Sequence, residues 1–435
     1  MTDSKTAVRN YFLLSLLSPV LGLITLLRSG NSRLLLPVGT FLMTILGSIY
    51  VYSPESDGES HRRTVESAYL DMGVAEFLTS FFQLFVLNNE NAPIGISDPY
   101  LHLLGFLSGG IYGIPELLHV FAAFVYGLVY FSILKILFER ITLPNGISLI
   151  VVLFSIFFIY RGITGFNAIR WWTALWLMLY GFLAYWHYEK RKYLIFSLLA
   201  VYIHYSFIAF IFPALVAIWL HKRLKLVMVI WVISFFLGAS YDLIKPFIPA
   251  LEVIEQKQQY TLDEEQLQGT AEARANAPQK ITRFYAAFGE ASFRDYSIPL
   301  LIVFLFWLLR SISGTNRTLI MQLFTAGVLL YAFGNFMEFS PSVSGRAKAG
   351  AAPFIMLAGL LNLSSLYNNN FTFYRSYKVR TVMNLFFISS IPLIMYHLSY
   401  TLNMLSAFAL MLPGASWFLG SDDFSIREFL AMFII

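Results

Sequence analysis

The chain has 435 residues, of which 57% are hydrophobic, 17% aromatic and only 13% charged. A soluble globular protein has about a quarter of its residues charged, so this composition excludes that class. The formal net charge is +5, but the basic residues are divided among many loops rather than gathered in one patch, which argues against nucleic acid as a partner.

Long apolar runs predict an all-α, polytopic transmembrane protein. A spanning helix needs about 20 apolar residues, and the mean hydropathy of +0.66 is typical of a chain rich in such helices. With broken or re-entrant helices included, we expect about 11 to 13 membrane segments in a single integral membrane domain over 1–435. The runs that approach or reach spanning length are 34–52, 115–134, 146–160, 171–187, 226–241, 318–337, 350–366 and 381–402.

The charges of the loops predict the orientation. If the N-terminus is cytoplasmic and 11–27, which contains Pro19, dips into the membrane and returns, the later loops alternate cleanly. Seventeen of the 30 Lys and Arg residues then lie on the cytoplasmic side with only three acidic residues. This excess of positive charge is what the positive-inside rule requires. We therefore expect a multi-pass membrane protein with a cytoplasmic N-terminus and a site on the outer side.

Two larger outer segments, 53–114 and 242–297, are acidic. The apolar and polar residues of 76–85 alternate in a way that favours a helix lying in the membrane interface. Residues 252–279 are rich in Gln, Glu and Ala and indicate a helix or a loop. We expect both segments to cover a site between the membrane helices and water, while the sidedness of the C-terminal part from Met404 stays open.

Basic residues on the outer side predict an anion site. Arg161 and Arg170 lie nine residues apart between apolar runs, where a lone cation is costly and needs an anionic partner. Arg170 precedes a helix, and Arg346 and Lys348 precede another that begins near Gly350. Helix N-termini stabilise anions, and the guanidinium fork matches phosphate. We predict a phosphate or pyrophosphate site formed by Arg161, Arg170 and Arg346.

The stretch 193–220 is mostly apolar, with basic clusters at both ends and His204 in the middle. Positive charge at both ends favours a hairpin or two short helices broken near His204. Short arms are tolerated only where the break is buried in protein or lines a wet cavity. His204 is therefore expected at the same outer level as the arginines.

These residues resemble the bacterial polysaccharide polymerases of the Wzy and EpsG type. The resemblance rests on Arg170 at the head of a span, the basic residues 190–192, and the step Tyr202-Ile203-His204-Tyr205-Ser206 before an apolar run. It covers about 160–220 well and the rest by hydropathy and helix number.

The resemblance implies a glycosyltransferase that joins oligosaccharide repeat units carried on undecaprenyl pyrophosphate at the outer leaflet. Arg170 and His204 would be catalytic, with Arg161 added from its position, and Arg346, Lys348, Tyr205 and Trp171 would bind substrate. No cofactor or resident metal is implied. Membrane lipid and a chain-length regulator would be further partners.

Three alternatives stay open. A ligase that transfers finished O-chains would use much the same anion site. The sequence Asp57-Gly58-Glu59 resembles the acidic motifs of metal-dependent transferases that use lipid-linked sugars, since two carboxylates suit a divalent cation. A transporter of an anionic or lipid-linked substrate would also place arginines between helices. The chain has no cysteine, which excludes disulfides, thiolate metal ligands and a cysteine nucleophile.

Overall fold

The protein was analysed as a computed structural model that describes residues 4–29, 31–52, 56–86, 98–141, 143–144, 148–166, 168–238, 289–309, 316–338, 340–407 and 424–432. The predicted segment 252–279 lies outside these residues, as does 408–423 in the C-terminal part from Met404. Across the described ranges the structure is helical, and its only extended pairings are isolated bridges. This confirms the all-α prediction.

Six helical segments within the described residues are long and apolar enough to cross a membrane, which supports a multi-pass membrane protein. They are Leu117–Phe138, Leu149–Phe166, Gly289–Leu308, Arg317–Phe336, Ser342–Asn369 and Tyr377–Met404. The predicted run 171–187 also forms a long helix, Ile169–Tyr188. Its Trp and Tyr side chains lower its mean hydropathy, so it does not belong to the six. The larger number of 11 to 13 membrane segments stays a prediction.

The chain divides into two compact units. The first comprises Met1–Arg140, Ile159–Ile208 and His397–Ile435, and the second comprises Ile141–Phe158 and Ala209–Tyr396.

The first unit begins with α1 (Ser4–Leu17), α2 (Pro19–Ser29) and α3 (Ser32–Ser48). Pro19 therefore starts α2, as expected for a residue that cannot continue a helix but suits its first position. Helix α3 packs on α7 (Leu117–Phe138) through small residues, since a Cβ added to Gly39 would lie 2.2 Å from Phe131 and one added to Gly47 would lie 2.4 Å from Ala123. Small residues allow this close approach of membrane helices.

Three short helices form the described part of the outer segment 53–114. Helix α4 (Asp57–Ala68) begins at the N-cap Ser56, whose side chain accepts a hydrogen bond from the Glu59 amide. Helix α5 (Val74–Phe85) contains the predicted 76–85 helix and exposes Leu78 and Phe82 on one face. Helix α6 (Pro99–Gly105) continues into a π-helical turn at Phe106–Ile111.

The predicted break at His204 is present. Helix α8 (Leu149–Ile159) and α9 (Ile169–Tyr188) are followed by α10 (Leu194–Ile203) and α11 (Phe207–Leu220). His204 ends α10 in extended backbone, with φ −157° and ψ 111°. Each arm is shorter than a spanning helix, so the polar step between them needs partners within the protein.

The second unit contains α12 (Leu224–Gly238), α13 (Ile298–Leu308), α14 (Arg317–Phe336) and α15 (Pro341–Asn369). A π-helical turn at Phe293–Ser297 leads into α13. Helix α15 is the most enclosed of the six membrane-capable helices, with 89% of its apolar window buried. Gly327 and Gly334 let α15 approach α14, because added Cβ atoms would lie 2.5 Å from Ile355 and 2.7 Å from Lys348. The described residues after α15 form α16 (Phe371–Tyr374), α17 (Tyr377–Met404) and α18 (Ile426–Ala431).

Candidate functional site

Arg170 lies in the first turn of α9 and forms an ion pair with Asp98. The Arg170 Nη1 and Asp98 Oδ2 atoms are 2.7 Å apart, and the Asp98 side chain is only 2% exposed. Asp98 also caps α6, because its other carboxylate oxygen accepts a hydrogen bond of 3.0 Å from the Leu101 amide. One buried carboxylate therefore ties an outer-segment helix to the beginning of α9.

The electrostatics of this pair are set by burial. Burial raises the pKa of the Asp98 carboxyl, and the adjacent Arg170 guanidinium opposes that shift. Burial, and then the same guanidinium, lower the pKa of His61 to about 3. His61 is therefore neutral near pH 7 and adds no positive charge beside Arg170.

His204 and its neighbours converge on the same end of α9. The Trp171 and Phe207 rings lie 5.5 Å apart, and the His204 and Phe207 rings lie 6.2 Å apart. The Asp98 carboxylate interacts electrostatically with the Tyr205 phenol. The Tyr205 hydroxyl donates a hydrogen bond to the Leu84 carbonyl of α5. The fold thus brings together two of the three parts of the sequence pattern on which the polymerase resemblance rests, Arg170 and the His204 step.

The His204 ring is held by Ser206. Its Nδ1 lies 2.8 Å from the Ser206 hydroxyl oxygen, and the Ser206 amide donates a longer bond of 3.3 Å to the same atom. When the hydroxyl oxygen accepts from Nδ1–H, the Nε2 lone pair is available as a base. When Nδ1 accepts instead, Nε2 carries the proton and can only donate.

Arg161 lies in the turn between α8 and α9 and has left-handed backbone, with φ 54°. This conformation is uncommon for a residue with a side chain. The Tyr126 hydroxyl donates to the Arg161 carbonyl and accepts a hydrogen bond of 2.8 Å from Trp176 Nε1. The Arg161 guanidinium lies over the Trp172 ring at 4.3 Å, a cation–π contact. The Arg161 guanidinium therefore lies at Trp172, which is two residues after Arg170 in α9.

Arg346 and Lys348 belong to the second unit, in the first two turns of α15. Arg346 is exposed, whereas Lys348 is only 8% exposed and its Nζ lies 2.9 Å from the Glu338 carboxylate. The prediction that Arg346 shares one site with Arg161 and Arg170 stays a prediction.

The Asp57-Gly58-Glu59 motif is the start of α4. Both Arg62 and Arg63 bond the Glu59 carboxylate at 2.7 Å. The hydrogen bond from Arg62 is the main cause that lowers the pKa of Glu59. Two guanidinium groups thus occupy the oxygens that a metal would need, and no group of three or more potential ligands occurs among the described residues.

Sequence reasoning missed Asp98 and His61. Asp98 followed by Pro99 is a recognisable helix start, since Asp is a favoured N-cap and Pro suits the first position. No sequence signal, however, identifies a partner that lies 72 residues away.

Comparison with protein-family models, curated proteins and solved structures finds no match to this chain.

Proposed function

We propose that this protein is a glycosyltransferase that polymerises undecaprenyl-pyrophosphate-linked oligosaccharide repeat units at the outer face of the cytoplasmic membrane. The observation that carries the proposal is the convergence of Arg170 and the His204 step at one end of α9. These are the residues on which the resemblance to the Wzy and EpsG polymerases rests.

The reaction defines what the site must do. The bond between the anomeric carbon and the phosphate oxygen breaks, and the acceptor hydroxyl oxygen forms a bond to that carbon. The hydroxyl proton must be removed, and the lipid pyrophosphate leaves as an anion. Charge therefore develops on the leaving oxygen, and fixed cations that face it lower the barrier.

Arg170 is suited to stabilise this leaving group. Asp98 accepts a hydrogen bond from Nη1, which fixes the side chain and leaves other N–H groups of the fork to face phosphate oxygens. The Arg161 guanidinium, which lies over Trp172 two residues after Arg170 in α9, would add a second positive charge to the site. An anionic leaving group is thus favoured there over a neutral one.

His204 is suited to accept the hydroxyl proton through Nε2. Ser206 would act as its positioning residue in the tautomer in which the hydroxyl oxygen accepts from Nδ1–H and Nε2 is the acceptor, whereas the bond from the Ser206 amide to Nδ1 belongs to the other tautomer. A general base contributes about 10²–10⁴-fold to a rate. One neutral hydrogen bond contributes about 0.5–1.5 kcal/mol, or roughly 2- to 13-fold. We expect His204→Ala to abolish polymer and Ser206→Ala to shorten or reduce it.

The test is complementation of a gene deletion followed by separation of the surface polysaccharide on a gel. Wild type should restore a ladder of chain lengths, whereas Arg170→Ala should leave a single repeat unit. Arg223→Ala, in an exposed loop expected to be cytoplasmic, is the matched control and should restore the full ladder. Immunoblots of membranes establish that all variants are present in equal amount.

Other outcomes would exclude the polymerase. Loss of every repeat unit in the deletion strain would indicate a flippase or ligase. An unchanged ladder after deletion would exclude a role in polysaccharide synthesis and favour a transporter.

A further inference from the structure

The second unit contains a cavity that the proposed chemistry of Arg170 and His204 does not use. Its volume is about 410 Å³, within the range of small-molecule sites. Four charged side chains and two aromatic rings line it together with the backbone of α15. The lining residues are Phe235, Arg294, Asp295, Tyr331, Glu338, Ser344, Gly345 and Lys348.

The two ion pairs of this cavity differ in how far their cations are buried. The Lys348 side chain is 10% exposed and its partner Glu338 is 39% exposed. Arg294 and Asp295 are exposed to nearly the same extent, 32% and 37%. The cavity therefore contains one buried ammonium group, that of Lys348, beside a more exposed guanidinium group.

The basic groups retain donors for a ligand. Arg294 uses Nε and Nη2 on Asp295, each at 2.9 Å, which leaves Nη1 near Gly345. Lys348 Nζ has three N–H groups, and Glu338 is its hydrogen-bond partner among the described residues. The Tyr331 ring lies 5.7 Å from the same ammonium. At least three N–H groups are thus available without breaking either ion pair.

This arrangement differs from a simple ion-pair network. Tyr331 is fixed, since its hydroxyl donates a hydrogen bond of 3.0 Å to the Arg294 carbonyl and it is only 1% exposed. Gly334 and Gly345 let the charged side chains lie directly against the helix backbone: a Cβ on Gly334 would clash with Lys348, and one on Gly345 would lie 3.1 Å from Arg294 Nη1. Charged residues inside a membrane protein usually mark a path or a site for a ligand.

We infer that this cavity binds a saccharide that carries an anionic group. Its cations match a carboxylate or phosphate substituent, its carboxylates accept hydrogen bonds from hydroxyl groups, and the exposed Phe235 ring offers surface for a sugar face. That the ligand is a saccharide, rather than another polyhydroxylated anion, rests on the proposed function. The site itself rests on the cavity.

The experiment measures binding to the purified full-length protein in nanodiscs by saturation-transfer NMR. The probes are glucuronic acid and glucose 6-phosphate, with glucose and inorganic phosphate as comparisons. We expect one or both anionic sugars to bind at least 10-fold more tightly than glucose and phosphate. Preference between the two identifies carboxylate or phosphate as the anionic group.

Three variants locate the binding. Lys348→Met should weaken it at least 10-fold, and Gly345→Leu should do the same by filling the space beside Arg294 while it keeps every charge. Lys378→Met, an exposed lysine of the same unit, should bind as wild type does. Size-exclusion profiles identify folded samples, and Gly345→Leu provides the test if Lys348→Met does not fold.

Three results would overturn the inference: no binding of either sugar, unchanged binding in both cavity variants, or inorganic phosphate that binds as tightly as glucose 6-phosphate. The gel ladder reports separately on the proposed function. If the sugars bind but deletion of the gene leaves the ladder unchanged, the cavity is a saccharide site and the polymerase proposal is wrong. If deletion collapses the ladder but neither sugar binds, the polymerase proposal stands and the cavity inference is wrong.

Discussion

Arg170 and Lys348 are both paired with a carboxylate near the beginning of a long apolar helix, yet the two pairs differ in exposure. Asp98, the partner of Arg170, is 2% exposed, whereas Glu338, the partner of Lys348, is 39% exposed. A buried carboxylate cannot return to water when its partner is removed, while an exposed one can. The first pair therefore fixes a side chain in position, and the second can exchange its partner for a ligand.

The largest expected effect follows from breaking the buried pair. Asp98→Ala removes both the partner of Arg170 and the N-cap of α6. Removal of one member of a buried pair costs about 3–5 kcal/mol, so we expect the free energy of unfolding to fall by that order. Thermal unfolding of purified protein in detergent, followed by circular dichroism, measures the change.

Two controls separate the charge from the cap. Asp98→Asn keeps a capping oxygen for Leu101 and should be less damaging than Asp98→Ala. The double variant Asp98→Leu with Arg170→Met removes both charges, so it should recover most of the lost stability but form no polymer. A double variant as unstable as Asp98→Ala would show that the pair does not account for the loss.

An intermediate effect is expected from acid, again in the first unit. His102 lies in α6, fully buried, and its ring nitrogens lie 2.7 Å from the Tyr69 hydroxyl and 2.8 Å from Ser80. Burial lowers the pKa of His102 to about 4. The unfolded chain takes up this proton near pH 6.5, so stability is lost as the pH falls from there toward 4, by about 3 kcal/mol.

Melting temperatures measured between pH 7.5 and 4 test this. Wild type should lose stability more steeply over that range than His102→Gln, which cannot be protonated. Equal slopes would assign the acid sensitivity to other groups, of which His61 is the first candidate because its pKa is also lowered.

The smallest expected effect comes from the exposed pair. Glu338→Gln should change the free energy of unfolding by no more than about 1 kcal/mol, because exposed ion pairs contribute little. The same thermal assay measures it beside Asp98→Asn. A loss as large as that of Asp98→Asn would remove the contrast between the two pairs, and with it the view that Lys348 can exchange its partner.

Local features of the sequence predicted much of the fold. Apolar runs of spanning length form long helices at Leu117–Phe138, Arg317–Phe336 and Tyr377–Met404. The break at His204 and the one-sided helix at 76–85 are also present. These features depend on neighbouring residues, on the spacing of apolar side chains and on the charges at segment ends.

Tertiary structure alone decided which charges are paired. Arg170 has its partner 72 residues away in the chain, and Tyr331 lies beside Arg294 at a separation of 37 residues. Such distances depend on how helices pack, and helical periodicity contains no information about which acid of 25 will face a given base. The sequence by itself determined an all-α membrane protein and where its helices break. Packing decided that Asp98 positions Arg170, and that α12 to α15 enclose a charged cavity, because both depend on contacts between residues distant in the chain.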